Sequence, residues 1–231
     1  MKEHKLSEPQ GRDVLIPSGP ETLEGELAVP LSAGGIVLFA HGSGSSRHSP
    51  RNQYVARVIR EADVGTLLFD LLTREEEALD LMTGQFRFDI GLLAGRLVDA
   101  TRWVAARHDL QDLRAGYVGS STGGAAALVA AAAIGEEIGA VVSRGGRPDL
   151  AGPALPRVVS PTLLIVGERD EVVLRLNEEA YANLQCKKEL VIIPGATHLF
   201  EERGALEKVA GLAARWFREH LQPTRQAAAS P

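Results

Sequence analysis

Val118-Gly119-Ser120-Ser121-Thr122-Gly123-Gly124 is the stretch on which the reading of this chain turns. An apolar run, Ala115 to Val118, enters it, and an alanine-rich run, Ala125 to Ile134, leaves it. Strand, tight glycine turn with a central serine, then helix is the context of the G-x-S-x-G bend. The bend is so sharp that side chains two residues either side of the serine would strike their neighbours. Gly119 and Gly123 meet that demand, which centres the frame on Ser121; a frame centred on Ser120 has Tyr117-Val118 where glycine is needed. A serine so placed lies beside a helix N-terminus, where free N–H groups and the helix dipole favour negative charge. Taken alone, the same residues also read as a Gly/Ser turn with an N-cap, and the rest of the chain has to decide.

Upstream, Val14 to Pro17 and Leu23 to Val29 read as two strands joined at Ser18-Gly19-Pro20, the second alternating like a half-exposed antiparallel edge. Ile36 to Ala40 is a continuous apolar run, as in a strand buried on both faces. It ends in His41-Gly42-Ser43-Gly44. Ser49-Pro50 opens a helix to about Glu61, and Thr66 to Leu71 is the next buried strand. Thr73 to Arg87 is charged, and is either a small lid or a solvated short helix, its Glu run a solvated face. Phe88 to His108 carries Ile90, Leu93, Leu97 and Val98 at helical spacing.

Downstream, strands are expected at Gly139–Ser143, Thr162–Gly167 and Leu190–Ile193, with helices from about Val173 to Leu184 and Leu206 to Leu221. Arg144 to Asp149 reads as a basic loop. Strands alternating with helices imply a mostly parallel, doubly wound sheet of about eight strands, helices on both faces, with an antiparallel N-terminal edge. Ligands in such sheets bind beyond the carboxyl ends of the strands. The Ser121 turn, the Asp170 loop and the His198 loop all follow strands, so all three belong on one rim.

Composition bounds the function. The 231 residues are enough for a sizeable core, and a net charge of -5 argues against a generic nucleic-acid binder. A single cysteine, Cys186, leaves no internal disulfide framework and fits a reducing compartment. No apolar stretch has the length of a membrane span, and the first residues do not read as a signal peptide. The expectation is a cytoplasmic protein with no membrane or nucleic-acid partner, a single domain over 12–221, an N-terminal extension over 1–11 and a disordered tail over 222–231. A homodimer is neither required nor supported by the sequence.

The order Ser121, Asp170, His198 is the Ser…Asp…His order of α/β-hydrolases. Glu168-Arg169-Asp170 after an apolar strand resembles the acid loop of that superfamily, Gly195-Ala196-Thr197-His198 its histidine loop, and His41-Gly42 its oxyanion loop. The resemblance runs from about Val14 to Leu221. Compact length with little or no cap resembles the dienelactone-hydrolase-like branch. That branch proper carries cysteine at the elbow; this chain carries Ser121, and the resemblance therefore implies a serine esterase. It implies Ser121 as nucleophile, His198 as base and Asp170 as the acid that orients the imidazole. Thr122, the residue after the nucleophile, and Ser43, in the loop after His41-Gly42, are implied as oxyanion donors. No cofactor or metal is implied, and the partner is a small-molecule ester.

Each residue also has a plainer reading. Asp170 alone reads as a helix N-cap, His198 as a surface loop histidine and His41 as a residue that holds its loop. Asp70 and Asp149 are rival acids. Arg144, Arg147 and Arg47 are candidates to hold a substrate carboxylate or phosphate, or else to pair with Asp149 and the glutamates. Lactone and thioester hydrolysis are alternatives within the same fold. From other classes come a non-catalytic module on a hydrolase scaffold and a dinucleotide-binding domain. The latter rests on Gly42-x-Gly44 and on Asp70 as a ribose-binding acid, but it has Arg47 where a third glycine belongs.

Overall fold

The computed structural model describes residues 11–222. The expected extension and tail lie outside them, apart from Gly11 and Gln222. One eight-stranded sheet organises the chain, in the order β1-β2-β4-β3-β5-β6-β7-β8. Its strands are β1 (Arg12–Ser18), β2 (Glu21–Ala28), β3 (Gly35–Ala40), β4 (Gly65–Phe69), β5 (Arg114–Ser121), β6 (Ile138–Gly146), β7 (Thr162–Gly167) and β8 (Lys188–Ile193). The pairs β1–β2 and β2–β4 are antiparallel and all others are parallel. The sheet edge on the N-terminal side is β1; β2, expected at the edge, is paired on both sides.

The helices are α1 (Pro50–Glu61), α2 (Arg74–Thr83), α3 (Ile90–Ala105), α4 (Thr122–Ile134), α5 (Glu171–Asn183) and α6 (Ala205–His220). Successive strand residues point to opposite faces, and the central strands are mostly apolar because both faces are covered, with Thr66, Ser143 and Thr162 the buried polar exceptions. Ile36, Leu38, Tyr117, Val141 and Leu164 pack with α3, α4 and α5. Val37, Phe39, Val118, Val142 and Ile165 pack with α1 and α6. Between β5 and α3, α4 is buried along most of its length, and its alanines let the backbones approach closely.

One stretch differs from expectation, and a second takes the short-helix alternative without the fully solvated face. Arg144–Gly146, read as part of a loop, continues β6. The charged segment after β4 is α2, fixed at both ends rather than by an apolar face. Thr73 and Glu76 form a reciprocal capping box, and Gly84 closes the helix in a left-handed conformation. Glu76 is also no solvated charge: it takes a two-pronged ion pair from the buried Arg96, with both contacts 2.5 Å. Asp80 accepts from the Phe86 and Arg87 amides at 2.7 and 2.9 Å and from Arg87 Nε at 2.8 Å, tying down the turn that follows.

The β5–α4 bend sets the tightest packing. A Cβ on Gly123 would fall inside the van der Waals envelope of the Ala40 carbonyl, and one on Gly119 would do the same at Gly123. Gly123→Ala is therefore expected to cost about 3 kcal/mol or more, seen as a collapse in Tm or in soluble yield. Gly211→Ala, on an open stretch of α6, is expected to add about 0.5–1 kcal/mol in the same melting experiment.

Candidate active site

β5 ends at Ser121, whose backbone adopts φ 50° and ψ −125°. A non-glycine residue in that region stores about 1–3 kcal/mol of strain and persists only where its surroundings enforce it. Here Gly119 and Gly123 allow the bend to close. Gly42 lies against the Ser121 side chain, where an added Cβ would come within 3.0 Å. Ser121 O accepts from the Arg147 amide at 3.0 Å. Ser120 turns under the neighbouring loop, where its Oγ accepts from Gly42 N at 3.2 Å.

His198 stands on the loop after β8. That loop turns at Gly195, whose amide donates to Glu168 at 2.6 Å, and the Thr197 amide donates to Glu202 at 3.0 Å. Gly145 lies beneath the ring; a side chain there would come within 3.6 Å of His198 Nδ1. Asp170 precedes α5 but makes no capping bond to it. Its carboxylate instead takes His198 Nδ1 at 2.6 Å. With Nδ1–H committed to a carboxylate, Nε2 of the neutral ring is left as the acceptor. Ser121 and His198 line one cleft of about 580 Å³, without a hydrogen bond between them. In free enzymes that bond is often long and tightens only with substrate.

Thr122 is the first residue of α4, so its N–H has no intrahelical acceptor. Its hydroxyl meets Ser43 Oγ at 3.1 Å, which puts the Gly42-Ser43 loop and the start of α4 side by side. The loop is held from below by His41. Leu71 N donates to its Nε2 at 3.0 Å, and its Nδ1 lies 3.0 Å from Gly42 O, which fixes a neutral tautomer with the proton on Nδ1.

The three arginines part company. Arg147 makes a two-pronged pair with Asp149 at 2.7 and 2.8 Å. Arg47 is ion-paired to Asp70 and, at 2.6 Å, to Glu24. Neither lines the cleft, and both rival acids are consumed in these pairs, so the expectation that Arg47 and Arg147 hold substrate is corrected. The Asp70 carboxylate, which the dinucleotide reading needs free, is taken up by the amide and the guanidinium of Arg47. Arg144 does line the cleft. Its Nη2 donates to Asn52 Oδ1 at 3.1 Å. Sequence reasoning passed over Asn52, a buried polar residue on the inner face of α1, and Leu71, Leu72, Leu81 and Leu93, which line a narrow apolar slot beside Ser43 and Thr122.

The sequence profile of the dienelactone hydrolase family matches residues 59–224. The chain belongs to this family. A crystal structure of a dienelactone hydrolase from Anabaena variabilis shares 60% identity with it, at a TM-score of 0.91 over 93% of this chain and all of that one. Est1E from Butyrivibrio proteoclasticus shares the fold at 16% identity and a TM-score of 0.76, covering 91% of this chain and 99% of its own. A Mycobacterium tuberculosis protein named "Putative phosphoribosyl transferase" is 57% identical over 90% of this chain, which spans only 46% of that relative's length. As a dienelactone hydrolase family member the chain is an α/β-hydrolase, with a serine at the elbow. Among the described residues, no helix is long and apolar enough to cross a membrane.

Burial holds the His41 imidazole below its ordinary value of 6.5, against the pull of Gly42 O and Asp70. The folded protein therefore resists a proton that the unfolded chain accepts. Stability is full above the unfolded value and is lost progressively as pH falls from there through the depressed folded value. Melting curves from about pH 7 to about pH 5 are expected to show a fall in Tm that is shallower in His41→Gln.

Proposed function

We propose that the protein is a serine hydrolase of small carboxylic esters, with Ser121 as nucleophile, His198 as base and Asp170 as the orienting acid. The observation that carries the reading is the Asp170–His198 bond on the wall of the cleft that Ser121 enters from its strained bend. Ser121 Oγ attacks the ester carbonyl while its proton passes to His198 Nε2. The carbonyl oxygen becomes an oxyanion, held by the amides of Thr122 and Ser43, each such donor contributing about 3 kcal/mol. The C–O bond to the alcohol then breaks, and the imidazolium protonates the departing oxygen. Water, deprotonated by the same histidine, attacks the acyl-enzyme; the bond to Ser121 Oγ breaks, the imidazolium returns the proton to that oxygen, and the acid departs. Asp170 keeps the ring in the required tautomer and stabilises it when charged.

The narrow slot beside the oxyanion donors, one wall of which is Leu81 of α2, supports small acyl groups over long ones. Phosphoribosyl transfer, the activity in the mycobacterial relative's name, is not part of the proposal. The chain matches under half of that protein, and the residues gathered in this cleft are those of acyl transfer.

Ser121→Ala is expected to abolish labelling by a fluorophosphonate probe and to lower 4-nitrophenyl acetate hydrolysis by about 10³-fold or more, with the melting curve retained. Asp170→Asn is expected to lower kcat by about 10³–10⁴. Continued labelling of Ser121→Ala would move the nucleophile elsewhere, and a rate that rises with acyl length would overturn the small-ester assignment.

A further inference from the structure

The cleft holds an uncompensated cation in a protein whose net charge is -5. Its lining includes two arginines, Arg144 and Arg51, and not one aspartate or glutamate. Arg51 is paired with Glu201 at 3.0 Å. Arg144 is different. Among the described residues no carboxylate pairs with it. One terminal nitrogen is spent on the neutral Asn52, and the other, Nη1, is buried without any partner. Burial and the nearby Arg51 pull its pKa down to about 10, which still leaves it charged at neutral pH.

A guanidinium withdrawn from water with no counter-charge is unfavourable. Such a group beside a reactive centre is a candidate for ligand recognition. Arg144 pairs in register with Ser120, so its backbone is one residue along from the elbow serine. The N-terminus of α1 opens on the same cleft through Ser49, Pro50 and Arg51. Its first turn carries no acidic side chain and no side-chain cap, so the positive end of its dipole adds to the field.

The arrangement also has a side. The alcohol that departs from the acyl carbon must take its proton from His198, so it lies where the imidazole lies. His198 lines the cleft with Arg144. The slot walled by Leu71, Leu72, Leu81 and Leu93, whose lining also carries the acidic Asp70, Glu77 and Asp80, opens instead beside Ser43 and Thr122, where the acyl carbon's substituent would sit. We propose that Arg144 forms an anion subsite for the leaving group, so that the substrates are small apolar acyl esters of alcohols or phenols bearing a carboxylate. This rests on the acyl-transfer reading above and adds which half of the ester carries the charge. A carboxylate there supplies the counter-charge that Arg144 lacks.

The test compares matched esters: acetoxyacetate against acetoxyacetamide, and 3-acetoxybenzoate against 3-acetoxybenzamide. The wild-type enzyme is expected to favour the carboxylate of each pair in kcat/KM by about tenfold or more, mostly through KM, as charge-assisted hydrogen bonds do. The preference is expected to shrink with added salt. It should fall to about one in Arg144→Gln and be partly restored in Arg144→Lys. 4-Nitrophenyl hemisuccinate, charged on the acyl half, is expected to be a poorer substrate than the butyrate. Calorimetry with 3-hydroxybenzoate reads the subsite without turnover: binding is expected in the wild type and weakened about tenfold or more in Arg144→Gln, with 3-hydroxybenzamide the weaker ligand throughout. A wild-type enzyme without the carboxylate preference, a preference untouched in folded Arg144→Gln, or faster cleavage of the hemisuccinate each overturns the assignment. Failure of every ester, with no probe labelling of Ser121, would instead strike the acyl-transfer reading, and the calorimetric comparison would then decide the anion subsite by itself.

Discussion

The backbone of α4 meets the end of β3 with no room for a side chain between them. Gly123 lies against the Ala40 carbonyl, and Gly119 lies against Gly123. This contact forces the β5–α4 bend to close, and the closed bend holds Ser121 in a backbone conformation it would not otherwise keep. It also joins two parts of the site that are far apart in sequence. The residues following Ala40 are His41, Gly42 and Ser43, so pinning β3 to α4 brings that loop to Ser120 and Thr122. One steric condition thus sets both the serine and the amides around it.

The rest of the site is supplied by the direction of the strands. β5, β6 and β7 run parallel, so their carboxyl ends share a rim. β5 delivers Ser121, β6 delivers Arg144 and Gly145, and the turn after β7 delivers Asp170. β8 adds the His198 loop from the edge. Polar groups behind the site are matched inward: His41 to Leu71 and Gly42, Arg47 to Asp70 and Glu24, Arg147 to Asp149. Arg144 stands apart among them, and for that reason the cleft keeps a net positive character.

The central strands were legible because burial on both faces leaves them runs of mostly apolar residues, and Thr162–Gly167 was placed residue for residue. The G-x-S-x-G frame was legible for the same steric reason that makes it work. Two features were obscured. α2 has no apolar stripe and leaves Leu81 and Met82 exposed; its identity lies in Thr73 and Glu76, a capping box that a search for periodicity overlooks. Arg144 and Arg147 have the same charge three residues apart. The partner of Arg147 is two residues away, whereas Arg144 faces Asn52, 92 positions distant. Only the packing of α1 over the end of β6 separates the two.

The start of α5 shows what the site withholds from the scaffold. Asp170 occupies the residue before the helix, where a carboxylate ordinarily closes the first turn, yet it turns away to His198. That leaves uncollected a contribution of about 1 kcal/mol, beside the strain kept at Ser121. Selection of variants for heat resistance alone would therefore be drawn to these two positions first, relaxing the bend and returning the aspartate to its helix, and would harden the molecule by dismantling the rim that defines it.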